Sequence, residues 1–186
     1  RGLVPGELAE LLAEGDVGEG ASLTVSHEDD VPSLSDRIVT IEGDAEEQEL
    51  AFRRVLERLD GAQDAGEADA LIFVALVPSG AAAAVVGTRG QRVQALIKHS
   101  GAGIEVKREV LPGLGLQPVI VRGSLEQVLL GTAGVVEVLQ ELADRGRLGP
   151  ADFVLPRRSP EGDGPGRPPL AAVPTPLVIM IDMAAA

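Results

Sequence analysis

The sequence predicts a fold of mixed helices and strands, built from two unequal copies of one structural unit. Residues 38–47 and 118–127 lie 80 positions apart, and each reads as a short β-branched strand, a glycine and the start of a helix. Similarity at a fixed spacing indicates that one unit is repeated. Apolar residues make up 45% and charged residues 24% of the chain, which is typical of a folded protein. Its 186 residues are enough for one domain or two small ones.

A long amphipathic helix is predicted after the strand of each copy. Asp44 and Ser124 stand at the N-cap positions, and Glu47 and Gln127 follow three residues later, as in a capping box. The apolar side chains expected on the buried faces are Leu50, Val55, Leu56 and Leu59 in the first copy, and Leu125, Val128, Leu129, Val136 and Leu139 in the second.

The second copy extends upstream of its strand and helix in a definite order. Residues 71–77 form an unbroken apolar run that favours a buried strand. The elements expected next are a short helix at 81–86, the turn Gly87-Thr88-Arg89-Gly90, a helix at 91–99 capped by Gly101, a strand at 104–107 and a loop at 108–118. The predicted order is therefore strand, helix, turn, helix, strand, loop, strand and helix.

The first copy shows only the later part of that order. Its expected elements are a helix at 7–14 with Leu8, Leu11 and Leu12 on the apolar face, a strand at 23–25 and a loop at 27–36. Its first strand and first helix are predicted to be missing. Arg1-Gly2 is interpreted at most as the remnant of a turn like that at 87–90.

These patterns divide the chain into unequal parts. Residues 156–176 hold 7 prolines among 21 residues, which is the composition of a linker. The expected parts are a partial unit at 1–60, a linker at 61–68, a complete unit at 69–146, a Pro/Gly-rich linker at 147–176 and a strand-like tail at 177–186, interpreted as the start of a third copy.

Charge is distributed very unevenly along the chain. The formal net charge is −13, but residues 1–70 hold 19 acidic and 5 basic residues, whereas residues 71–110 hold 2 acidic and 5 basic residues. The average argues against a polyanionic partner. The basic stretch of 40 residues permits one.

Composition also excludes several classes of site. The chain has no Cys, Trp or Tyr and only three Phe, so a disulfide scaffold, a thiolate site and a surface that stacks several bases on aromatic rings are excluded. His27 and His99 alone make a poor metal site. No cofactor, metal or catalytic residue is predicted, and an enzyme is not expected because no convergent reactive groups are recognisable. Without a leader or membrane span in the sequence, a soluble cytoplasmic or nuclear protein is expected.

The turn at 87–90 is the feature that predicts binding chemistry. Two glycines without Cβ atoms allow the backbone to approach a phosphate group, and the next helix begins with unpaired N–H groups. Arg89 and Arg92 add cations that attract a phosphate chain. From spacing alone, a plain helix–helix turn with two solvated arginines explains these residues equally well.

A longer pattern around this turn resembles a known family. The residues that carry the resemblance are Val77-Pro78-Ser79, Val85-Val86-Gly87-Thr88-Arg89-Gly90, Val93, Leu96-Ile97, Ser100-Gly101-Ala102-Gly103-Ile104-Glu105-Val106, Val119-Ile120-Val121-Arg122-Gly123 and Glu126-Gln127-Val128. In this arrangement the sequence is similar to the eukaryotic-type (type I) KH domain, an RNA- or single-stranded-DNA-binding module. The resemblance covers residues 69–146 in full and residues 1–60 in part.

The resemblance implies a fold and a set of contacts. It implies an α+β fold of order β-α-α-β-β-α, with a three-stranded antiparallel sheet and three helices on one face. It also implies RNA contacts by the backbone at Gly87, Thr88, Arg89 and Gly90, by an aliphatic groove of Val85, Val86, Val93, Ile104 and Val106, and by the cations Arg92, Lys107 and Arg108. Thr88 is neutral where many members carry a cation, and residues 81–84 are all alanine, which points to modest affinity.

The function expected is therefore binding of single-stranded RNA, or single-stranded DNA, in post-transcriptional regulation of mRNA. The alternative is a protein-interaction or scaffold role, in which the acidic copy contacts another KH domain or a different protein. Neither a membrane partner nor a small-molecule substrate is expected.

Overall fold

The computed structural model describes residues 2–4, 9, 12, 20–26, 37–62, 70–112 and 114–153. The predicted loop at 27–36, most of the linker at 61–68, and the proline-rich segment and tail from residue 154 onward lie outside these residues. The strands are β1 Gly2–Val4, β2 Ser22–Val25, β3 Arg37–Glu42, β4 Leu71–Pro78, β5 Gly103–Val106 and β6 Leu116–Gly123. The helices are α1 Ala45–Ala62, α2 Ser79–Val86, α3 Gln91–Ser100 and α4 Leu125–Asp144, with short 3₁₀ segments at Thr88–Gly90 and Pro150–Phe153.

All six strands belong to one antiparallel sheet, in the order β2-β3-β1-β4-β6-β5. The fold is therefore α+β, as predicted. The two copies do not form separate sheets, because β1 pairs with β3 of the first copy and with β4 of the second. Leu3 lies opposite Ile38 on one side and opposite Val74 on the other. One short strand thus joins the two copies.

The strand β1 differs from what the sequence predicts for the first copy. The first strand was expected to be missing, but Gly2–Val4 occupies that position, and Ala9 and Leu12 after it are helical and buried. Gly2 is part of this strand and not the remnant of a turn. A Cβ atom at Gly2 would lie 2.5 Å from Cζ of Phe73, so only glycine allows β1 to pass this ring without displacing it.

The main core lies between the sheet and the helices. Because side chains alternate between the two faces of a strand, Phe73, Ala75 and Val77 of β4 point to the same side and are all buried. Phe73 meets Phe52 of α1 edge to face, with ring centroids 4.9 Å apart and an angle of 65° between the rings. This aromatic pair connects the helix of the first copy with a strand of the second.

A second, smaller core lies on the opposite face of the sheet. It consists of Ile38, Leu76 and Leu116, with Leu3, Leu111 and Leu114 packed against it. The loop between β5 and β6 is held there because the N–H of Leu111 donates to the carbonyl of Leu116 at 2.7 Å. This loop was predicted to run to Pro118, but β6 begins at Leu116, which is buried.

The helix boundaries follow the predicted caps. The N–H of Glu47 donates to Oδ1 of Asp44 at 2.9 Å, and the N–H of Asp44 donates to Oε2 of Glu47 at 2.9 Å. The predicted box at Ser124 and Gln127 is also present at the start of α4. One residue was assigned to the wrong face: Leu50 is 49% exposed, whereas Val55 and Leu56 are buried. Leu50 therefore lies outside the row of α1 side chains that faces the sheet.

We expect Phe73→Ala to destabilise both copies together. Truncating a fully buried phenylalanine typically costs about 3–5 kcal/mol of unfolding free energy. Ile72→Ala is the matched control, because Ile72 neighbours Phe73 on β4 but is 50% exposed, and a loss of about 1 kcal/mol or less is expected there. Urea unfolding followed by circular dichroism measures both. Two separate transitions, or equal losses in the two variants, would contradict this account of the shared core.

Candidate functional site

The turn between α2 and α3 has a backbone conformation that requires glycine. Gly87 has φ 73° and ψ 177°, a region that only glycine populates at low cost. Gly90 has φ 77° and ψ 8°, in the left-handed helical region. Arg89 between them also has positive φ, at 53°, and is the one non-glycine residue with positive φ in the described part of the chain.

Gly87 and Gly90 differ in what surrounds them. A Cβ atom at Gly87 would lie 2.5 Å from Cβ of Arg92, so the turn folds tightly onto the first residues of α3. At Gly90 the nearest atom to such a Cβ would be Cγ1 of Val93 at 4.0 Å. The Gly90 side of the turn is therefore open to an approaching ligand, while the Gly87 side is closed by the protein itself.

The outer edge of the turn presents polar groups to solvent. Thr88 and Arg89 are exposed. Within the part of the chain that the structure describes, no side chain caps the start of α3. The N-terminus of a helix carries unpaired N–H groups and a partial positive charge, both of which favour an anion. The turn thus combines an accessible backbone, a helix N-terminus and one exposed guanidinium group.

Two of the predicted cations are already paired with acidic side chains. NH2 of Arg92 lies 2.5 Å from Oε1 of Glu141 on α4, and Nζ of Lys107 lies 2.6 Å from Oε1 of Glu105 on β5. The hydrogen bond from Arg92 lowers the pKa of Glu141, and that from Lys107 lowers the pKa of Glu105. Both carboxylates therefore stay ionised to a lower pH than an isolated glutamate and partly neutralise the cations beside them.

Arg89 and Arg108 differ from these paired cations. Both are exposed, and within the described residues neither makes an ion pair. Arg108 follows β5 at the start of the loop that packs against the second core. Among the described residues, Arg89 is therefore the cation within the turn itself that has no acidic partner.

The predicted aliphatic groove is only partly accessible. Val86, Val93 and Val106 are half-buried, which leaves part of each side chain for contact. Val85 is fully buried and Ile104 is 8% exposed. Val85 lies on the face of α2 that packs into the core, so the structure leaves little of Val85 or of Ile104 exposed for contact with a base. Helices α2 and α3 both pack against β5, so the three half-buried valines belong to adjoining elements.

Sequence reasoning missed Glu105 and Glu141 as neighbours of the site. Glu105 was detectable, because the sequence predicts a strand over 104–107, and residues two apart on a strand share a face, which places Glu105 beside Lys107. Glu141 was not detectable, because it is 49 residues from Arg92 and is brought there by the packing of α4 on α3. These two carboxylates limit the charge that the site offers.

The described residues contain neither a candidate metal centre nor a candidate membrane-spanning helix. In those ranges no group of three or more His, Cys, Asp or Glu side chains is arranged to hold a metal ion. None of the helices within them combines the length and apolar character that crossing a bilayer requires.

No protein-family model matches the chain, and no curated protein matches it.

We expect Gly87→Ala to destabilise the protein more than Gly90→Ala. Both substitutions place alanine at positive φ, which costs about 1–2 kcal/mol. At Gly87 the cost is larger because the new methyl group also collides with Arg92, so a total of about 3 kcal/mol is expected there. Urea unfolding of the two variants measures the difference. Equal losses would show that the close approach of Gly87 to α3 does not constrain the turn.

Proposed function

We propose that the chain binds single-stranded RNA, or single-stranded DNA, through the second copy. The observation that carries this proposal is the turn Gly87–Gly90. The Gly90 side of the turn is open, and Thr88 and Arg89 are exposed. The turn leads directly into the start of α3, which has no side-chain cap among the described residues. These are the features that allow a backbone to approach a phosphate group.

The arrangement of the second copy supports this reading. Strands β4, β6 and β5 are neighbours in that order, and α2, the turn and α3 connect β4 to β5. This α+β arrangement is compatible with the type I KH domain that the sequence resembles. In such a domain a GxxG loop grips the backbone of about four nucleotides. By this proposal residues 87–90 have that role here.

The proposed contacts divide into two kinds. The turn and the start of α3 contact phosphate groups, which position the strand without reading its sequence. Val86, Val93 and Val106 supply an apolar surface on which bases lie with their edges open to hydrogen bonds. The described part of the site holds no aromatic ring, so stacking on aromatic side chains does not contribute.

The acidic side chains around the site lower the affinity for nucleic acid that we expect. Arg92 and Lys107 are held by Glu141 and Glu105, and the acidic first copy belongs to the same sheet. Few phosphate groups are therefore neutralised. For single strands the logarithm of affinity falls with the logarithm of salt concentration with a slope of about −0.7 for each phosphate contact. One or two contacts correspond to a slope between about −0.7 and −1.4.

The direct test is the double variant Thr88→Asp, Arg89→Asp. It places two carboxylates at the proposed phosphate site and leaves both glycines in place. The matched control is Arg147→Asp, Ala151→Asp, which changes the net charge equally at two exposed positions outside the turn. We expect the first variant to weaken binding of pyrimidine-rich or purine-rich 10-mers at least tenfold at low salt. The control is expected to change affinity less than twofold, as measured by fluorescence anisotropy.

Two results would reject the proposal. One is the absence of binding by the unaltered chain at low salt, and the other is an equal loss of affinity in both double variants. In the first case the scaffold role becomes the better explanation, because the paired cations Arg92 and Lys107 then serve only to hold the second copy together.

A further inference from the structure

A cleft between α1 and α4 lies apart from the turn, on the side of the sheet that the helices cover. It has a volume of about 490 Å³ and is lined by residues of both copies. Its apolar walls come from Phe52 of α1 and from Leu129, Leu130, Ala133 and Val136 of α4. Leu130 is 48% exposed although it is a large apolar side chain. The cleft therefore leaves apolar surface in contact with water between two helices.

One buried polar group in the cleft has no partner. Thr132 is among the lining residues and is 1% exposed, and within the described residues its hydroxyl oxygen makes no hydrogen bond. Buried hydroxyl groups are normally hydrogen-bonded, because leaving one unpaired costs free energy. The oxygen atom is itself buried, so it offers no polar contact at the surface of the cleft, whose accessible wall is mainly apolar.

The rim of the cleft is acidic. Glu49, Glu126 and Glu137 line it together with a single cation, Arg53. NH1 of Arg53 lies 2.6 Å from Oε1 of Glu126, so the charge of this cation is already used to link the two helices. Helix α4 as a whole carries four acidic residues and no basic residue. A basic occupant therefore complements the rim in charge.

The lining residues recur at helical spacing along α4. They run from Glu126 to Gln140, which corresponds to about 21 Å at 1.5 Å per residue. The α1 wall contributes Gln48, Glu49, Phe52 and Arg53, which are also spaced by three or four positions. The lining residues of α1 and α4 thus form two rows with apolar surface between them. In helix-in-groove recognition, an amphipathic helix binds to a surface of this kind.

We propose that this cleft binds an amphipathic helix of a partner protein, about four turns long, with an apolar face flanked by Lys or Arg. The apolar face covers Phe52, Leu130 and Val136, and the flanking cations meet Glu49 and Glu137. This site is separate from the turn at residues 87–90 and does not depend on nucleic-acid binding.

The test uses the whole chain and three synthetic peptides of 14 residues. The first has Leu at every third or fourth position with Lys on both sides of that stripe. The second replaces the Leu residues by Ser and keeps the charge, and the third replaces the Lys residues by Glu. We expect the first peptide to bind at least tenfold more tightly than either of the others, as measured by fluorescence anisotropy at 0.15 M salt.

Matched variants locate the binding. Ala133→Trp fills the cleft from an exposed position on α4, and Ala95→Trp makes the same change at an exposed position on α3. Glu137→Lys reverses a charge on the rim, and Asp60→Lys reverses one on α1 outside it. We expect the two cleft variants to lower the affinity for the first peptide at least fivefold. The two control variants are expected to change that affinity less than twofold. Each variant is checked for an unchanged circular dichroism spectrum.

Several outcomes would overturn the proposal. These are equal binding of the three peptides, equal losses in the cleft and control variants, and no binding of the first peptide at millimolar concentration. A second experiment follows the fluorescence of an apolar dye bound to the chain and adds decanoate as a competitor for the cleft. If decanoate displaces the dye from the unaltered chain but not from Ala133→Trp, and the first peptide does not displace it, the cleft is a small-molecule pocket and the helix proposal is wrong. Binding of RNA by the turn is unaffected by any of these results.

Discussion

The pairing of β1 with both β3 and β4 is the constraint on which the rest of the structure depends. Three residues complete the sheet of the first copy and also extend the sheet of the second. Because the two copies share one sheet, α1 and α4 are carried on the same face, Phe52 reaches Phe73, and the cleft forms between the helices. Glycine at position 2 is part of this constraint, since a side chain there would collide with Phe73.

The same sheet separates two surfaces of opposite character. The turn at 87–90 has an open backbone and an exposed arginine, while the cleft between α1 and α4 is rimmed by carboxylates. Ion pairs lie between these regions: Glu141 holds Arg92, and Arg145 lies 3.5 Å from the same carboxyl group. By the two proposals, a phosphate chain and a basic helix bind to different parts of one molecule. The net charge of −13 is an average over the whole chain and does not indicate the local charge of either surface.

Local features of this protein are readable from its sequence, whereas features that depend on distant contacts are not. The capping boxes at Asp44 and Ser124 and the strand β4 follow from spacing within a few residues. Strand β1 is too short to show an alternating pattern, and its partners are 33 or more residues away. The burial of Val85 depends on which face of α2 meets the core, and a run of small apolar residues does not show this. The pair of Arg92 with Glu141 depends on the packing of α4.

The central claim is that a single strand contacts the turn of the second copy. It is tested most directly by following the backbone amide signals of the isotope-labelled chain by NMR while a short single-stranded RNA is added at low salt. The account predicts that the signals of residues 87–93 and 103–108 shift in proportion to the RNA bound, while those of α1 in the first copy stay in place. Shifts confined to α1 and α4, or no shifts at residues 87–93, would contradict it.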